Sequence, residues 1–192
     1  MTISGLRDAF QMPSQMRISG RSSSITAAFV SAIIPRIEPS DDEINEALRI
    51  LGMDEHDVRC AYCGDKNSEW DHLRPLVDGK KPTGFITEIR NLVPSCGKCN
   101  QSKGNKYWFE WIMSDAKLSP NKRQIRDIEQ KIARLREYEK WGEPKHIQFE
   151  LLVSKQDLDQ HWSNWANVIK LMHEAQKHAN KIKQTVENTK PN

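Results

Sequence analysis

The sequence contains few cysteines and no long apolar run. Only four of its 192 residues are cysteine, and all four fall between residues 60 and 99. No stretch reaches the roughly 18 consecutive apolar residues that suggest a membrane-spanning helix, and the first residues lack the basic-then-apolar pattern of a secretory signal. These absences argue against a membrane protein and a disulfide-rich secreted domain, and the cytoplasm is the expected location.

The chain also lacks a strong excess of charge. Its 29 Lys and Arg against 26 Asp and Glu give a net charge of +3, so nucleic-acid binding would depend on local rather than overall charge. Positive charge leans towards the C-terminal part, where residues 111–192 hold fifteen basic and eleven acidic side chains. The length allows one domain of ordinary size, with an extension at most.

The four cysteines form two C-x-x-C pairs, Cys60 with Cys63 and Cys96 with Cys99, and Cys96 comes 33 positions after Cys63. Two such pairs are typical of one tetrahedral zinc ion held by two knuckles. The alternative is two disulfides, which the missing secretory features disfavour. Four thiolates leave zinc no open position for water, so we expect a structural ion.

Asp71 and His72 lie between the two pairs. A carboxylate oxygen suits Mg²⁺, and an imidazole accepts a proton near neutral pH. Asn100, directly after the last cysteine, offers a second oxygen ligand. Neighbours on a strand point to opposite faces, so both side chains can flank a phosphate only where the strand ends or bends, and Pro75 favours such a break. The alternative is an ordinary solvated turn.

The order Cys-x-x-Cys, Asp-His, Asn, Cys-x-x-Cys-Asn-x-x-Lys-Gly resembles the zinc-supported branch of the HNH (ββα-metal) endonucleases, over about Arg59 to Lys106. The resemblance implies an α+β fold, in which a small ββα-metal core stapled by the four-cysteine zinc site is flanked by N-terminal helices and a helical C-terminal region. It implies that Asp71 and Asn100 bind a catalytic cation, that His72 is the general base, and that Asn91 holds the loop and helps to orient His72. The implied reaction is hydrolysis of DNA phosphodiester bonds, leaving 5′-phosphate and 3′-hydroxyl ends.

One position departs from the family pattern. Some members carry a histidine four residues after the second ligand, where this chain has Gly104. We therefore expect two protein ligands, with water and phosphate oxygens completing an octahedron around Mg²⁺ or Mn²⁺. Affinity for the cation without DNA should be weak.

Basic side chains in and after the core are candidate DNA contacts, and the alternative for them is a solvated charged face. They are Arg74, Lys98, Lys103, Lys106, Lys122 and Arg123. The aromatic cluster Trp108, Phe109 and Trp111 is favoured as core over a base-stacking surface. The Ser-, Gly- and Met-rich first twenty-five residues are favoured as a plain disordered arm over one that enters a DNA groove.

The flanks are predicted to be helical. We expect a short helix over 25–34, a second after Ser40 with Glu43 completing a capping box, and a third from Asn121 to the break at 142–144. Residues 146–153 show some strand-like alternation, although an extended connector fits as well, and a last helix from Leu158 could continue to about Val186. The predicted regions are 1–58, 59–113 and 114–192, within one compact unit.

The size and the helical additions resemble type II restriction enzymes of the HNH class. The helices could fold back on the core or pair two subunits, and a homodimer would cut both strands of a palindrome. Alternatives are a modification-dependent, homing or phage-type nicking enzyme, or a zinc module that binds nucleic acid without cutting it. The expected partner is double-stranded DNA, with no small-molecule substrate.

Overall fold

The computed structural model describes residues 12–189, so the first eleven residues of the predicted arm lie outside it. The helices are α1 (Ser22–Ser31), α2 (Asp41–Leu51), α3 (Gly97–Lys103), α4 (Trp108–Ile112), α5 (Ile128–Lys140), α6 (Phe149–Leu152) and α7 (Lys155–Asn188), with 3-10 turns at Ser19–Arg21 and Ile89–Asn91. The strands are β1 (Glu69–His72), β2 (Val77–Asp78), β3 (Lys81–Pro82) and β4 (Leu92–Ser95). The predicted α+β class is confirmed.

The chain divides into two compact units. Ala28–Ser154 form one unit, and the flanking segments, up to Ala27 and from Lys155, form the other. The first unit combines the predicted central region with parts of both predicted flanking regions. The three regions predicted from the sequence stay a prediction.

The centre of the first unit is a strand, a long loop, a returning strand and a helix. Strand β1 pairs antiparallel with β4, with Asp71 opposite Val93 and His72 opposite Leu92. Strands β2 and β3 form a separate small pair within the loop. Alternation along β1 turns Glu69 and Asp71 towards α3, whereas Trp70 and His72 face away from it.

The apolar core lies beside this hairpin and includes the aromatic cluster. Trp108 and Trp111 have no exposed surface, which confirms their predicted core position. Tyr62 packs edge-on against Trp111, with ring centroids 5.1 Å apart. Leu135 and Tyr138 of α5 join the same cluster, so α5 packs against the part of the chain that carries the four cysteines.

Helix α2 begins as the sequence predicts. The Ser40 side chain accepts from the Glu43 amide, and the Glu43 carboxylate accepts from the Ser40 amide, which completes the capping box. The helix ends at Gly52, whose positive φ of 65° suits glycine. Its buried face, which includes Ala47, Ile50 and Leu51, packs in the core with α5.

Two predicted elements differ in the structure. The helix expected from Asn121 begins only at Ile128, because Gln124 and Asp127 adopt positive φ angles and residues 121–127 form turns. The strand-like segment 146–153 instead contains the short helix α6. His146 keeps one isolated bridge to Phe85.

The second unit is dominated by α7. This helix has 34 residues and no buried one, although its half-buried residues include Trp162, Trp165 and Met172 of the predicted apolar face. Trp165 donates from Nε1 to the Thr26 hydroxyl at 3.1 Å. No helix within residues 12–189, α7 included, is both long enough and apolar enough to span a bilayer.

Candidate functional site

Four buried sulfur atoms mark the metal centre. The ligand atoms of Cys60, Cys63, Cys96 and Cys99 all lie within 4.8 Å of one another. The first knuckle is closed by backbone hydrogen bonds from Gly64 to Cys60 and from Cys60 to Asp65, each 2.8 Å long. Cys96 is the residue immediately before α3, so the second knuckle places the start of that helix. Four clustered, buried thiols are the donor set of a structural zinc ion, and they fit it.

The sulfur cluster is further organised by charge. Hydrogen bonding with Cys63 and Cys99 lowers the pKa of Cys60 to about 3 against the effect of burial, whereas hydrogen bonding with Cys60 and Cys63 raises the pKa of Cys99, so the first thiolate of the cluster forms at Cys60. Arg123 lies beside the cluster, with Nη1 3.5 Å from the Cys99 sulfur and Nη2 2.8 Å from Asp65. A guanidinium next to thiolates offsets their negative charge.

Asp71 is buried on the α3 side of β1. Its Oδ2 accepts a 2.6 Å hydrogen bond from the Tyr62 hydroxyl, and the Lys103 ammonium lies 3.1 Å from the same oxygen. Burial raises the pKa of Asp71, and the Lys103 charge and the Tyr62 hydrogen bond offset part of that rise. The carboxylate is therefore held rigidly, with a positive charge at one side.

Lys103 is predicted from the sequence to contact phosphate, but the structure gives it an internal position. Its side chain has no exposed surface, and Nζ donates to the backbone oxygen of His72 at 2.7 Å as well as to Asp71. Burial lowers the pKa of Lys103, although Asp71 acts in the opposite direction. In this conformation the ammonium neutralises a buried carboxylate rather than a phosphate.

Asn100 lies on the same face of α3 as Lys103, one helical turn earlier. Its Nδ2 donates a 2.5 Å hydrogen bond to Oε2 of Glu69, the residue two before Asp71 on the same side of β1. No hydrogen bond joins Asp71 directly to Asn100 within residues 12–189. Instead, both side chains line the β1–α3 interface. Tyr62 and Lys103 hold Asp71, and Glu69 holds Asn100.

His72 lies on the opposite side of β1. Its Nε2 is 3.0 Å from the Thr87 hydroxyl, and the ring lines a mainly apolar cavity of about 510 Å³ with Trp70 and residues of α2. Burial lowers the pKa of His72 to about 4, with a smaller contribution from the Lys103 charge. The imidazole is therefore neutral at physiological pH and keeps a free lone pair, but the lowered pKa makes it a weaker base than an exposed histidine.

Asn91 is completely buried and holds the loop between the strands. Its Oδ1 accepts from the Arg74 amide at 2.8 Å, and its Nδ2 donates to the backbone oxygens of Arg74 and Ile86. In addition, the Leu73 amide donates to the Asn91 backbone oxygen. Because residues 73 and 74 directly follow His72, these bonds fix the end of β1.

The other predicted DNA contacts divide into two groups. Lys98, Lys106 and Lys122 are exposed. By contrast, Arg74 pairs with Glu139 at 3.4 Å and Arg123 is committed to the zinc knuckles, with side chains only 18% and 17% exposed. The exposed lysines are thus better presented to a phosphate than the two arginines.

This segment matches a known family. Residues 60–106 match the HNH endonuclease family, and the match includes the four cysteines, the Asp-His pair, Asn91 and Asn100. Residues 60–106 are an HNH endonuclease domain. The resemblance predicted from the motif is confirmed, together with a four-cysteine cluster consistent with its zinc-containing variant.

The HNH domain also has a curated relative. The chain is 37% identical over 67 residues to the CRISPR-associated endonuclease Cas9 of Corynebacterium diphtheriae. The match covers 33% of this chain and 6% of that protein, so it concerns a small part of the relative. No solved structure matches the chain at a significant level.

Three side chains of the HNH domain are not predicted from the sequence as part of its site. Thr87 contacts His72, which is 15 residues away in the sequence, and Tyr62 contacts Asp71, which is 9 residues away. The fold makes both contacts, and the local sequence gives no signal for either. Glu69 was detectable, because strand alternation places it on the same side as Asp71.

Proposed function

We propose that this protein is a divalent-cation-dependent DNA endonuclease whose HNH domain hydrolyses phosphodiester bonds. The observation that carries the proposal is the family match over 60–106, which contains the Asp-His pair and Asn100 between and beside the zinc knuckles. The substrate and the activity of the whole chain are part of the proposal, because the curated relative is matched over only a short segment.

In this proposal zinc is a scaffold. The cysteines anchor the chain before β1 and the start of α3, the two elements that carry Asp71 and Asn100. A saturated tetrahedral ion offers no position for substrate. Its contribution is to hold oxygen ligands from distant parts of the sequence at one interface.

The oxygen donors at the β1–α3 interface fit a hard divalent cation. Asp71 and Asn100 are the proposed ligands; Lys103 pairs with Asp71, and Glu69 on the same side of β1 accepts from the Asn100 amide. The chemistry that bound Mg²⁺ or Mn²⁺ supplies is neutralisation of charge developing on the phosphate and the departing 3′ oxygen.

His72 is the proposed general base. If the Thr87 hydroxyl accepts from Nε2, the lone pair lies on Nδ1, for which the described residues provide no hydrogen-bond partner. Asp71 and His72 face opposite sides of β1, so a phosphate contacted from both must lie at the end of the strand. Strand β1 ends at His72, and Asn91 holds the residues that follow, which supports this placement.

A finer proposal is a type II restriction enzyme that acts as a homodimer. Support for self-association comes from α7, where Leu171, Ile182 and Val186 are more than half exposed. A modification-dependent, homing or phage-type nicking HNH nuclease remains the alternative enzyme, and a zinc module that binds nucleic acid without cutting it is the alternative outside enzymes.

Replacing His72 by alanine tests the catalytic assignment. We expect the rate of plasmid cleavage with Mg²⁺ or Mn²⁺ to fall by about 10²–10⁴-fold, the usual contribution of a general base. Zinc content, melting temperature and DNA binding should be unchanged. His56→Ala is the matched control, because the His56 side chain is 87% exposed and its ring lies beside its sequence neighbour Glu55.

Two outcomes would contradict this function. Wild-type protein with full zinc content that never cuts DNA with either cation would favour the non-catalytic zinc module. Full activity in His72→Ala would instead remove the imidazole from the mechanism while leaving the nuclease itself intact.

A further inference from the structure

The two ends of the Asn100 amide differ in what they can bind. The oxygen Oδ1 can bind a cation, whereas the nitrogen Nδ2 carries two hydrogens and only donates. An asparagine ligand therefore works in one of its two amide orientations. In the structure Nδ2 is directed at Glu69, with a 2.5 Å contact to Oε2, so Oδ1 is the end left for another partner.

Glu69 is itself held in a defined place. It begins β1 and pairs across the sheet with Ser95, next to the second zinc knuckle. Its other oxygen, Oε1, lies 3.0 Å from the position that a Cβ on Gly97 would occupy. The carboxylate thus fits into the space that glycine leaves at the first residue of α3.

We infer that Glu69 is a positioning residue, which accepts the hydrogen bond from Asn100 so that the amide oxygen faces the divalent cation. The inference rests on the proposed function. It assigns Glu69 no contact with the cation or the DNA. A carboxylate is suited to this role because it only accepts hydrogen bonds, so it cannot stabilise the reversed amide.

The sharpest test of the inference is to make the reversed orientation of the Asn100 amide possible. Glu69→Gln replaces the carboxylate with a group that can also donate, so the reversed Asn100 orientation becomes available. We expect zinc-loaded full-length protein with this change to bind Mn²⁺ about tenfold or more weakly, a typical effect of losing a group that orients a metal ligand. The measurement is a Mn²⁺ titration followed by the electron paramagnetic resonance signal of the free ion.

Repeating the change in an Asn100→Asp protein separates positioning from direct ligation. The substituted carboxylate presents oxygen at both ends, so its orientation no longer matters. Glu69→Gln should then weaken Mn²⁺ binding much less than in the Asn100 protein, by only the small loss expected when one nearby negative charge is removed. A comparable loss in both backgrounds would make Glu69 a ligand, and no loss in either would make it irrelevant; both results overturn the inference.

A second variant perturbs the carboxylate without removing it, and it decides the matter if Asn100→Asp itself abolishes Mn²⁺ binding. Gly97→Ala adds a methyl group 3.0 Å from Oε1, which obliges Glu69 to move by a few tenths of an ångström. We expect Mn²⁺ affinity to fall by a few-fold, with unchanged zinc content. Unchanged affinity in both Gly97→Ala and Glu69→Gln would overturn the inference.

The matched control is Glu110→Gln, the same chemical change on the exposed part of α4. It should leave Mn²⁺ affinity and melting temperature unaltered. The Mn²⁺ concentration for half-maximal cleavage should shift with Glu69→Gln and not with Glu110→Gln. Failure of the inference is distinguishable from failure of the nuclease proposal, since wild-type protein that cuts DNA while Glu69→Gln behaves identically would refute only the former.

Discussion

The cysteine-containing centre of the first unit (residues 60–112) and helix α7 obtain their structure in different ways. The centre has short elements, none of the strands longer than four residues, and it buries Trp108, Trp111 and all four cysteines. Helix α7 runs for 34 residues without burying one. The centre therefore depends on long-range packing around a thiol cluster that fits a metal ion, whereas α7 depends mainly on local helix formation.

This difference bears on where function can be located. A site that needs atoms placed to a fraction of an ångström requires a rigid frame, and the thiol cluster with its aromatic surroundings supplies one. The long helix offers exposed apolar and charged side chains, which suit association with another molecule. We predict that perturbations of the two regions will have clearly unequal effects.

Loss of zinc should produce the largest difference between the centre and α7. In Cys99→Ser or after chelation, we expect residues of the centre to lose protection from hydrogen exchange while part of α7 remains protected. Structural zinc contributes on the order of 10 kcal/mol in small zinc domains, comparable with the entire stability of roughly 5–15 kcal/mol of a typical domain. Exchange measured by mass spectrometry across the chain would report both regions at once.

Equal loss of protection in both regions would break the comparison, because α7 would then depend on the centre for its folding. Cys99→Ser should also abolish cleavage, but that result alone would not separate the two regions. Readdition of zinc after chelation is the control for irreversible aggregation.

A pair of leucine substitutions compares the two regions on equal chemistry. Leu135 of α5 has no exposed surface, and Leu171 of α7 is 65% exposed. We expect Leu135→Ala to lower the free energy of unfolding by about 2–5 kcal/mol and Leu171→Ala to change it by less than about 0.5 kcal/mol. Urea unfolding at equal protein concentration measures both.

The Leu171→Ala substitution also tests the proposed homodimer. If α7 pairs two subunits, Leu171→Ala will weaken association in sedimentation experiments and its effect on unfolding will grow with protein concentration. A purely monomeric wild-type protein, with and without DNA, would remove the homodimer from the proposed function.

The smallest predicted effect concerns the hydrogen bond between His72 and Thr87. Thr87→Val keeps the shape of the side chain and removes the hydroxyl, so we expect cleavage to slow by up to about tenfold, as one hydrogen bond of roughly 0.5–1.5 kcal/mol allows. The comparable change Thr185→Val in α7, where the hydroxyl donates to the Lys181 backbone, should leave the rate unaltered. A slower Thr185→Val protein would show that α7 takes part in cleavage.

Features whose signals are local or periodic were predictable from the sequence. The spacing of the cysteines predicts their cluster, the Ser40 and Glu43 pair predicts the start of α2, and repeated apolar residues predict α7. The predicted start of α5 is wrong, because turns at positive φ interrupt a pattern that looks helical from Asn121.

Contacts between distant residues were not predictable in this way. Lys103 and Arg123 look like surface charges in the sequence, but the fold directs them to Asp71 and Cys99, which are 32 and 24 residues away. A sequence pattern states which residues are charged, and only packing decides whether their partner is a phosphate or a side chain of the same protein. The predicted catalytic and DNA-contact roles remain for experiment.

The buried amide of Asn91 has a consequence for how this domain can vary. It bonds to the main chain at residues 74 and 86 and so ties together the two ends of the segment between them, whatever that segment contains. Lengthening a tethered segment adds little entropic cost, since each doubling costs only about 0.6 kcal/mol. Insertions between Pro75 and Phe85 can therefore add new surface to the domain while leaving the neighbouring His72 in place.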